Sequence, residues 1–498
     1  MPNPFVAQRI TPRDIRERFF SENAGAATAV SKVTDAITAQ GGKAYLVGGF
    51  VRDALLGVIS NDIDLEVYGI DATALEVLLE SLFPGHVHVV GKAFGILRIG
   101  QDGFTLDIAL PRRESKQGSG HRGFVVEGDS TMSIEDASRR RDFTVNAMLI
   151  DLSTWELVDP FQGQRDLEAH MLRVVDPMTF PDDPLRVYRA IQLSARLGFS
   201  AEPATRELLA SMVSRGEIEE LSKERITDEL KKLLLKAERP SIGFALMREL
   251  GIIERSYPEL TALIGTEQEH DWHPEGDVWI HSLMVVDAAA QLIHHGDEAF
   301  SENEKLSIML GALCHDLGKP ATTEHVEGRV RSRGHEAAGV APTTLLLSHW
   351  TFGHEVGYAA EIAAAEHLKP GMLCNDLEKG RITKEQYENA VRRLVMRISP
   401  VSWGVLLAIS EADWRGRGLE GVATAPYEHG MLFRDAMTEL EARSELRPLL
   451  EGRDLLALGL TPGPRIGELL KRVETERDQG RIKTREEAFE WVKANLHT

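Results

Sequence analysis

Two cysteines, Cys314 and Cys374, are the only thiols in 498 residues. That is too few for a disulfide framework and fits a chain kept in a reducing cytoplasm. Long apolar runs are also missing: none approaches the roughly 20 residues a membrane span needs. The opening MPNPFVAQRITPRDIRERFF has early charges and lacks the apolar stretch of a secretory signal. Nor is there an excess of positive charge. The 57 Lys and Arg stand against 77 Asp and Glu, a net charge of −20. A pI near 5.4 argues against a simple basic nucleic-acid coat protein, though not against an enzyme with a local basic groove. No internal repeat and no low-complexity tract is visible. What is present is a globular composition, 43% hydrophobic and 27% charged, with a mean hydropathy of −0.20. At roughly 150 residues per domain, the length suggests about three domains.

Residues 44–110 alternate short apolar runs with glycine turns. AYLVGG, DIDLEVY, HVHVV, FGILRI and FTLDIAL read as strands, with helical VRDALLG after the first and DATALEVLLESLF later. Residues 111–137 lose this periodicity; PRRESKQGSGHRGF is basic and rich in Gly and Ser, and reads as a mobile loop. Strand and helix signals return in RRRDFTVNAMLID and LRVVD, and from about Asp182 the chain reads as almost wholly helical. A compositional break falls near residue 267, after which eleven of the 17 histidines cluster between His270 and His367.

In LVGGFVRD, Gly48 and Gly49 lie between a strand and a helix start, where a missing Cβ lets backbone N–H groups approach a polyphosphate. Arg52 has the forked geometry to pair with a phosphate oxygen. Asp62 and Asp64, two apart on the next strand, put both carboxylates on one face. A core has no use for such a pair, whereas two Mg²⁺ ions would use both; the plain alternative is an edge strand facing water. Asp107, on a nearby strand, either supplies a third carboxylate or merely ends its strand. In DDPLRVYR, Asp182 or Asp183 caps a helix with Pro184 in its first turn, and Asp183, Arg186 and Arg189 then share a face.

GGFVRDALLG, NDIDLEVYG, RRRDFTVNAM, DPFQGQRDL and DDPLRVYRAIQLSARLGF, in that order, resemble the class II tRNA nucleotidyltransferases, which comprise the CCA-adding enzymes and the related bacterial poly(A) polymerases. The resemblance is close over about residues 40–260. It implies that Asp62 and Asp64 bind Mg²⁺ and are catalytic, with Gly48, Gly49 and Arg52 at the triphosphate. It also implies that Arg140, Asp142 and Asn146 contact ribose and phosphates. Asp183 and Arg186, with Arg189 alongside, would read the incoming base: a carboxylate accepts from the exocyclic amino group of C or A, and a guanidinium donates to the ring nitrogen. The family's Glu is Asp182 here. A long loop at 112–136, carrying Arg112, Arg113, Lys116 and Arg122, favours an enzyme that adds A, with or without CC, over one adding CC alone.

His281, the pair His315-Asp316, and Asp413 each sit in apolar, helix-like sequence. Imidazole nitrogens and carboxylate oxygens together suit a divalent metal. With CHDLGKP at their centre, residues 270–420 resemble the HD phosphohydrolases. The resemblance implies a core metal site of His281, His315, Asp316 and Asp413, a possible second metal at His335 and His367, and Lys319 near the phosphate. The metal's identity stays open. Cys314 reads as a small core residue.

The resulting expectation is an α+β chain. A small mixed-sheet, polymerase-β-like head (1–175) leads into a helical neck and body (176–266). An all-α HD domain (267–420) and a helical, tRNA-binding C-terminal segment (421–498) follow. The activity implied is addition of C and A, from CTP and ATP, to the tRNA 3′ end, with a second phosphohydrolase activity in 3′-end repair. The implied partners are the tRNA acceptor arm and the two nucleotides, with no membrane and no obligate protein partner. The alternatives are a bacterial poly(A) polymerase or A-adding enzyme with the same head, or a phosphohydrolase whose head only binds RNA. The basic track expected for RNA runs through Arg139, Arg140, Arg141, Lys231, Lys232 and Lys236.

Overall fold

A computed structural model describes residues 10–90, 95–101, 103–116, 124–442, 448–478 and 481–495, and has an α+β architecture. The chain divides into two units, Met1–Ser256 and Tyr257–Thr498, some ten residues before the compositional break.

The first unit is built on a seven-stranded sheet. Its strands are β1 (Lys43–Val47), β2 (Asp62–Tyr68), β3 (Val87–Val90), β4 (Ile96–Gln101), β5 (Phe104–Ala109), β8 (Leu149–Asp151) and β9 (Leu157–Val158). They run in the order β3-β4-β5-β2-β1-β8-β9. β2 pairs with β5 in parallel and the other pairings are antiparallel. Alternation fixes the register: Ile63, Leu65 and Val67 are buried while Asp62 and Asp64 point the other way. Helix Ala24–Ala39 lays Ala26, Val30, Val33 and Ile37 into the core. Asp71 starts helix Ala72–Leu82 by accepting the Ala74 N–H.

The segment read as a loop is ordered at both ends. β6 (Arg112–Lys116) and β7 (Phe124–Gly128) form an antiparallel ribbon, and Ile134–Arg139 is a helix capped by Ser133. Arg, Glu, Ser and Lys are poor strand formers, so composition argued for a loop. Pairing between the two arms supplies what propensity lacks. Arg122 lies outside the described residues, as do the side chains of Arg113 and Lys116.

Beyond a parallel pair of two-residue strands, β10 (Met171–Leu172) and β11 (Ser200–Ala201), this unit is helical. Leu185–Leu197 packs on Lys223–Lys236 and Ser241–Glu249. Pro184 occupies the N-cap position, so the cap is not a side chain at that residue; Asp183 Oδ1, one position earlier, accepts the Leu185 N–H at 3.2 Å.

The second unit is mostly helical but not all-α. β12 (Thr323–Val326) and β13 (Arg329–Ser332) form a hairpin turning at Glu327-Gly328. TEHVEGRVRS carries only two valines, so its composition holds little strand signal. Helices Val278–His295, Glu302–Cys314, His335–Ser348, His354–Glu366 and Trp403–Arg415 make the main bundle. Helices Gly452–Ala457, Pro464–Asp478 and Arg485–Ala494 close over a separate small core of Leu450, Leu455, Leu469, Val473 and Val492. No single helix among the described residues is long and apolar enough to cross a membrane.

Candidate active sites

Asp62 and Asp64 open onto a cavity of about 560 Å³ in the first unit. Gly48, Gly49, Arg52, Arg140, Asp142, Asn146, Asp183, Arg186 and Arg189, all singled out from sequence, line it as well. Gly48 holds φ +67°, and a Cβ there would stand 3.1 Å from Arg141 Nη1 and 3.7 Å from Asp64 Oδ2, so only glycine leaves this wall open. Burial, with Asp62 and Asp107 nearby, pushes Asp64 up to about 6. A carboxylate raised in this way fits a cation that would offset the crowding. Two carboxylates are also what a Mg²⁺ site completed by substrate phosphates requires. Asp107 lies opposite Asp64 across β2 and β5, but both its oxygens are held by Arg98, at 2.7 and 2.6 Å.

The remaining residues form a net. Arg52, buried, donates to Asp53 Oδ1 at 2.8 Å and to Asn146 Oδ1 at 2.6 Å. Asn146 Nδ2 donates to Asp142 Oδ1 at 2.9 Å, and Asp142 Oδ2 accepts from Arg189 Nε at 2.7 Å. Burial opposes ionisation of Asp142, yet Arg189, Asn146 and the Phe143 N–H outweigh it and hold its pKa at about 2. Arg196 closes the far end on Asp53 Oδ2 at 2.8 Å. The net ties the sheet to helix Leu185–Leu197. At the helix start, Arg225 Nη2 lies 3.1 Å from both oxygens of Asp183. Arg186 donates to the carbonyls of Thr179 (3.0 Å) and Arg140 (2.6 Å) and stacks over Phe180. Asp182 is exposed, at the end of the turn Phe180–Asp182.

In the second unit, His281, His315, Asp316 and Asp413 converge, all fully or almost fully buried. His281 Nε2 lies 3.3 Å from His315 Nε2 and 3.2 Å from Asp413 Oδ1. His315 Nε2 is 3.1 Å from Asp316 Oδ2. The Nδ1 atoms point away: His281 donates to Glu275 Oε1 at 2.8 Å, His315 to the Ala312 carbonyl at 2.8 Å. Those acceptors take the Nδ1 side of each ring, so the two Nε2 atoms face each other and two carboxylate oxygens. Such a set of acceptors is satisfied by a cation. Asp316 Oδ1 turns the opposite way, 3.4 Å from His335 Nε2. Asp316, His335 and His367 form a second group whose ligand atoms lie within 4.8 Å of one another. His335 and His367 also donate Nδ1–H to carbonyls, of Ser332 and Ala363. Burial pushes His367 down to about 3, which keeps its ring neutral. Burial works against ionised Asp316, but His315 and Lys319 hold it well below the usual range. The donor sets therefore fit a metal at each group.

Residues 44–173 match the poly A polymerase head domain, and residues 198–264 match the probable RNA and SrmB-binding site of polymerase A. The multifunctional CCA protein of Xanthomonas oryzae pv. oryzae is 37% identical over 437 residues, covering 86% of this chain and 96% of that protein. The chain belongs to the multifunctional CCA protein family. A solved structure of the Bacillus stearothermophilus CCA-adding enzyme in complex with CTP covers 93% of the chain and 97% of its own, at 19% identity and a TM-score of 0.60. The Thermotoga maritima CCA-adding enzyme complexed with tRNA covers 98% and 97%, at 22% identity and 0.53. At these identities the two structures speak for the fold.

This family member also has site residues that sequence reading did not single out. Arg225 on Asp183 and Arg196 on Asp53 belong to the first cavity, and Glu66 acts on its wall by accepting from Arg141 Nη2 at 2.9 Å. Glu275 behind His281, and Arg417, 3.1 Å from Asp413 Oδ2, belong to the second. Glu275 lies six residues before His281 in an aperiodic loop, where no pattern marks it.

Proposed function

We propose that the first unit adds C and A to the 3′ end of tRNA. The observation that carries this reading is that Asp62 and Asp64, Asp183 and Arg186, and eight further Arg or Lys side chains line one cavity. In the reaction the RNA 3′-oxygen bonds to the α-phosphorus of CTP or ATP, the bridge to the β-phosphate breaks, and pyrophosphate leaves. Mg²⁺, when bound by Asp62 and Asp64, would supply Lewis-acid activation of the hydroxyl and neutralise the leaving group. Arg140 and Arg141 face the cavity to orient phosphates. Asp183 accepts from the amino group of C or A while Arg186 donates to the ring nitrogen; U and G present a carbonyl instead and leave the pair unmatched. Arg225, and the carbonyls that hold Arg186, must release them for this readout.

A smaller cavity of about 330 Å³ shares Asp64, Arg140 and Arg141 with the first. It is lined by Val47, Ile96 and Leu110 and suits the terminal nucleoside of the RNA. The decisive assay incubates the protein with Mg²⁺, CTP, ATP and tRNAs ending before CCA, after C, or after CC. No extension of any of them would reject the proposal. An A-tail on unrelated RNA would favour a poly(A) polymerase.

A second activity is favoured by the buried His/Asp cluster. We infer an HD-type, metal-dependent phosphohydrolase acting on phosphoesters such as 2′,3′-cyclic phosphates at a damaged 3′ end. His281, His315, Asp316 and Asp413 would hold one metal, and Asp316, His335 and His367 another. Lys319 Nζ, 2.7 Å from Asp316 Oδ2, stands where a phosphate oxygen would need a partner. An Asp64→Ala variant should lose extension and keep metal-dependent hydrolysis; loss of both would refute two separate sites.

A further inference from the structure

Metal ligation leaves one feature of the histidine-cluster cavity without a role. The chain has seven tryptophans, and six are buried or half-buried. Trp272 is 55% exposed. It lines a cavity of about 250 Å³ together with Asp316, Lys319, Arg331, His335 and Arg417. The loop that carries it is anchored: the Trp272 N–H donates to the Glu269 carbonyl at 3.0 Å, and Glu269 Oε2 accepts the Val330 N–H of β13 at 3.1 Å. A large indole held at the mouth of a cavity with three cationic side chains combines an aromatic face with phosphate-binding charge. Nucleotides and single strands are held by that combination, and every base has a π-face to offer it.

We propose that Trp272 is the platform on which a nucleobase stacks while the phosphate of the same nucleoside lies at the His/Asp cluster, so that this site selects nucleoside phosphoesters over esters without a base. The proposal rests on the phosphohydrolase reading and names its substrate class. In the reaction water bonds to phosphorus, one P–O bond to the ribose breaks, and the ribose oxygen takes up the proton that water gives. Trp272 takes no part in these bonds. It is a specificity residue whose effect falls on binding of the base, with little preference among bases.

The test uses the full chain with Mg²⁺, Mn²⁺, Co²⁺ or Ni²⁺ and two substrates: adenosine 2′,3′-cyclic phosphate and the base-free methyl riboside 2′,3′-cyclic phosphate. Trp272→Ala should lower kcat/KM on the adenosine substrate by about ten-fold or more, mainly through KM, and leave the base-free substrate unchanged. Trp272→Phe, which keeps a stacking face, should restore most of the loss. An equal fall on both substrates, or no fall on either, overturns the proposal. If wild-type protein hydrolyses neither substrate, the phosphohydrolase reading fails instead. Calorimetric binding of adenosine 3′-phosphate then decides: weaker binding by Trp272→Ala than by wild type supports the platform, and equal binding refutes it.

Discussion

Asp142 illustrates how much of the nucleotide cavity depends on one buried charge. Its pKa of about 2 lies below the ordinary carboxylate value, so the native state favours the ionised form. The stability this contributes is fully present above about pH 4 and is lost as pH falls toward 2. Asp142→Asn should therefore remove about 2 kcal/mol at neutral pH and flatten the acid limb of a denaturation-versus-pH profile. Asp64 differs in that its raised pKa reflects burial, with like charges nearby, rather than pairing. Asp64→Asn, which removes a charge that the fold holds at a cost, should raise urea stability at neutral pH by about 1–3 kcal/mol while abolishing nucleotide addition in a primer-extension assay. At this scale the sequence was informative where spacing encodes geometry. Asp62 and Asp64 share a face because strands repeat every two residues, whereas Asp183 is extended just before the helix that begins at Leu185 and still lines the same cavity as Arg186. The sequence was silent on Arg225, Arg196 and Glu275, whose partners lie far along the chain or in loops without a repeat. Arg225→Ala should loosen Asp183 and raise misincorporation of U, measured as the ratio of kcat/KM for CTP to that for UTP.

At the scale of elements, close backbone approach matters as much as side chains. Gly318, in the turn after His315-Asp316, sits where an added Cβ would be 2.0 Å from the His335 carbonyl and 2.5 Å from the Gly339 N–H. The helix that presents His335 thus lies directly against the turn that presents Asp316. Gly318→Ala should push the two apart, costing about 1–3 kcal/mol in thermal or urea unfolding and lowering metal content per chain by elemental analysis. The strands of the head and the long amphipathic helices were readable because their periodicity is driven by burial. The β6–β7 and β12–β13 hairpins were not. Much of β6, β12 and β13 is polar or charged, and the strands are held by pairing with one another, which no local pattern announces.

Across the whole molecule, the net charge of −20 conceals a strong local inversion: nine cationic side chains against four carboxylates around one cavity. Nucleic-acid binding by such a surface should weaken steeply with salt. Lys236→Ala, at the exposed end of that wall, should reduce the slope of log Kd against log salt by about one without changing which tRNA is preferred. Asp64 lines two cavities of unequal size. On the proposed reading, a chamber for each substrate would give the spent pyrophosphate and the growing strand different doors, so that the nucleotide could be reloaded while the RNA stays and successive additions would become one visit rather than several.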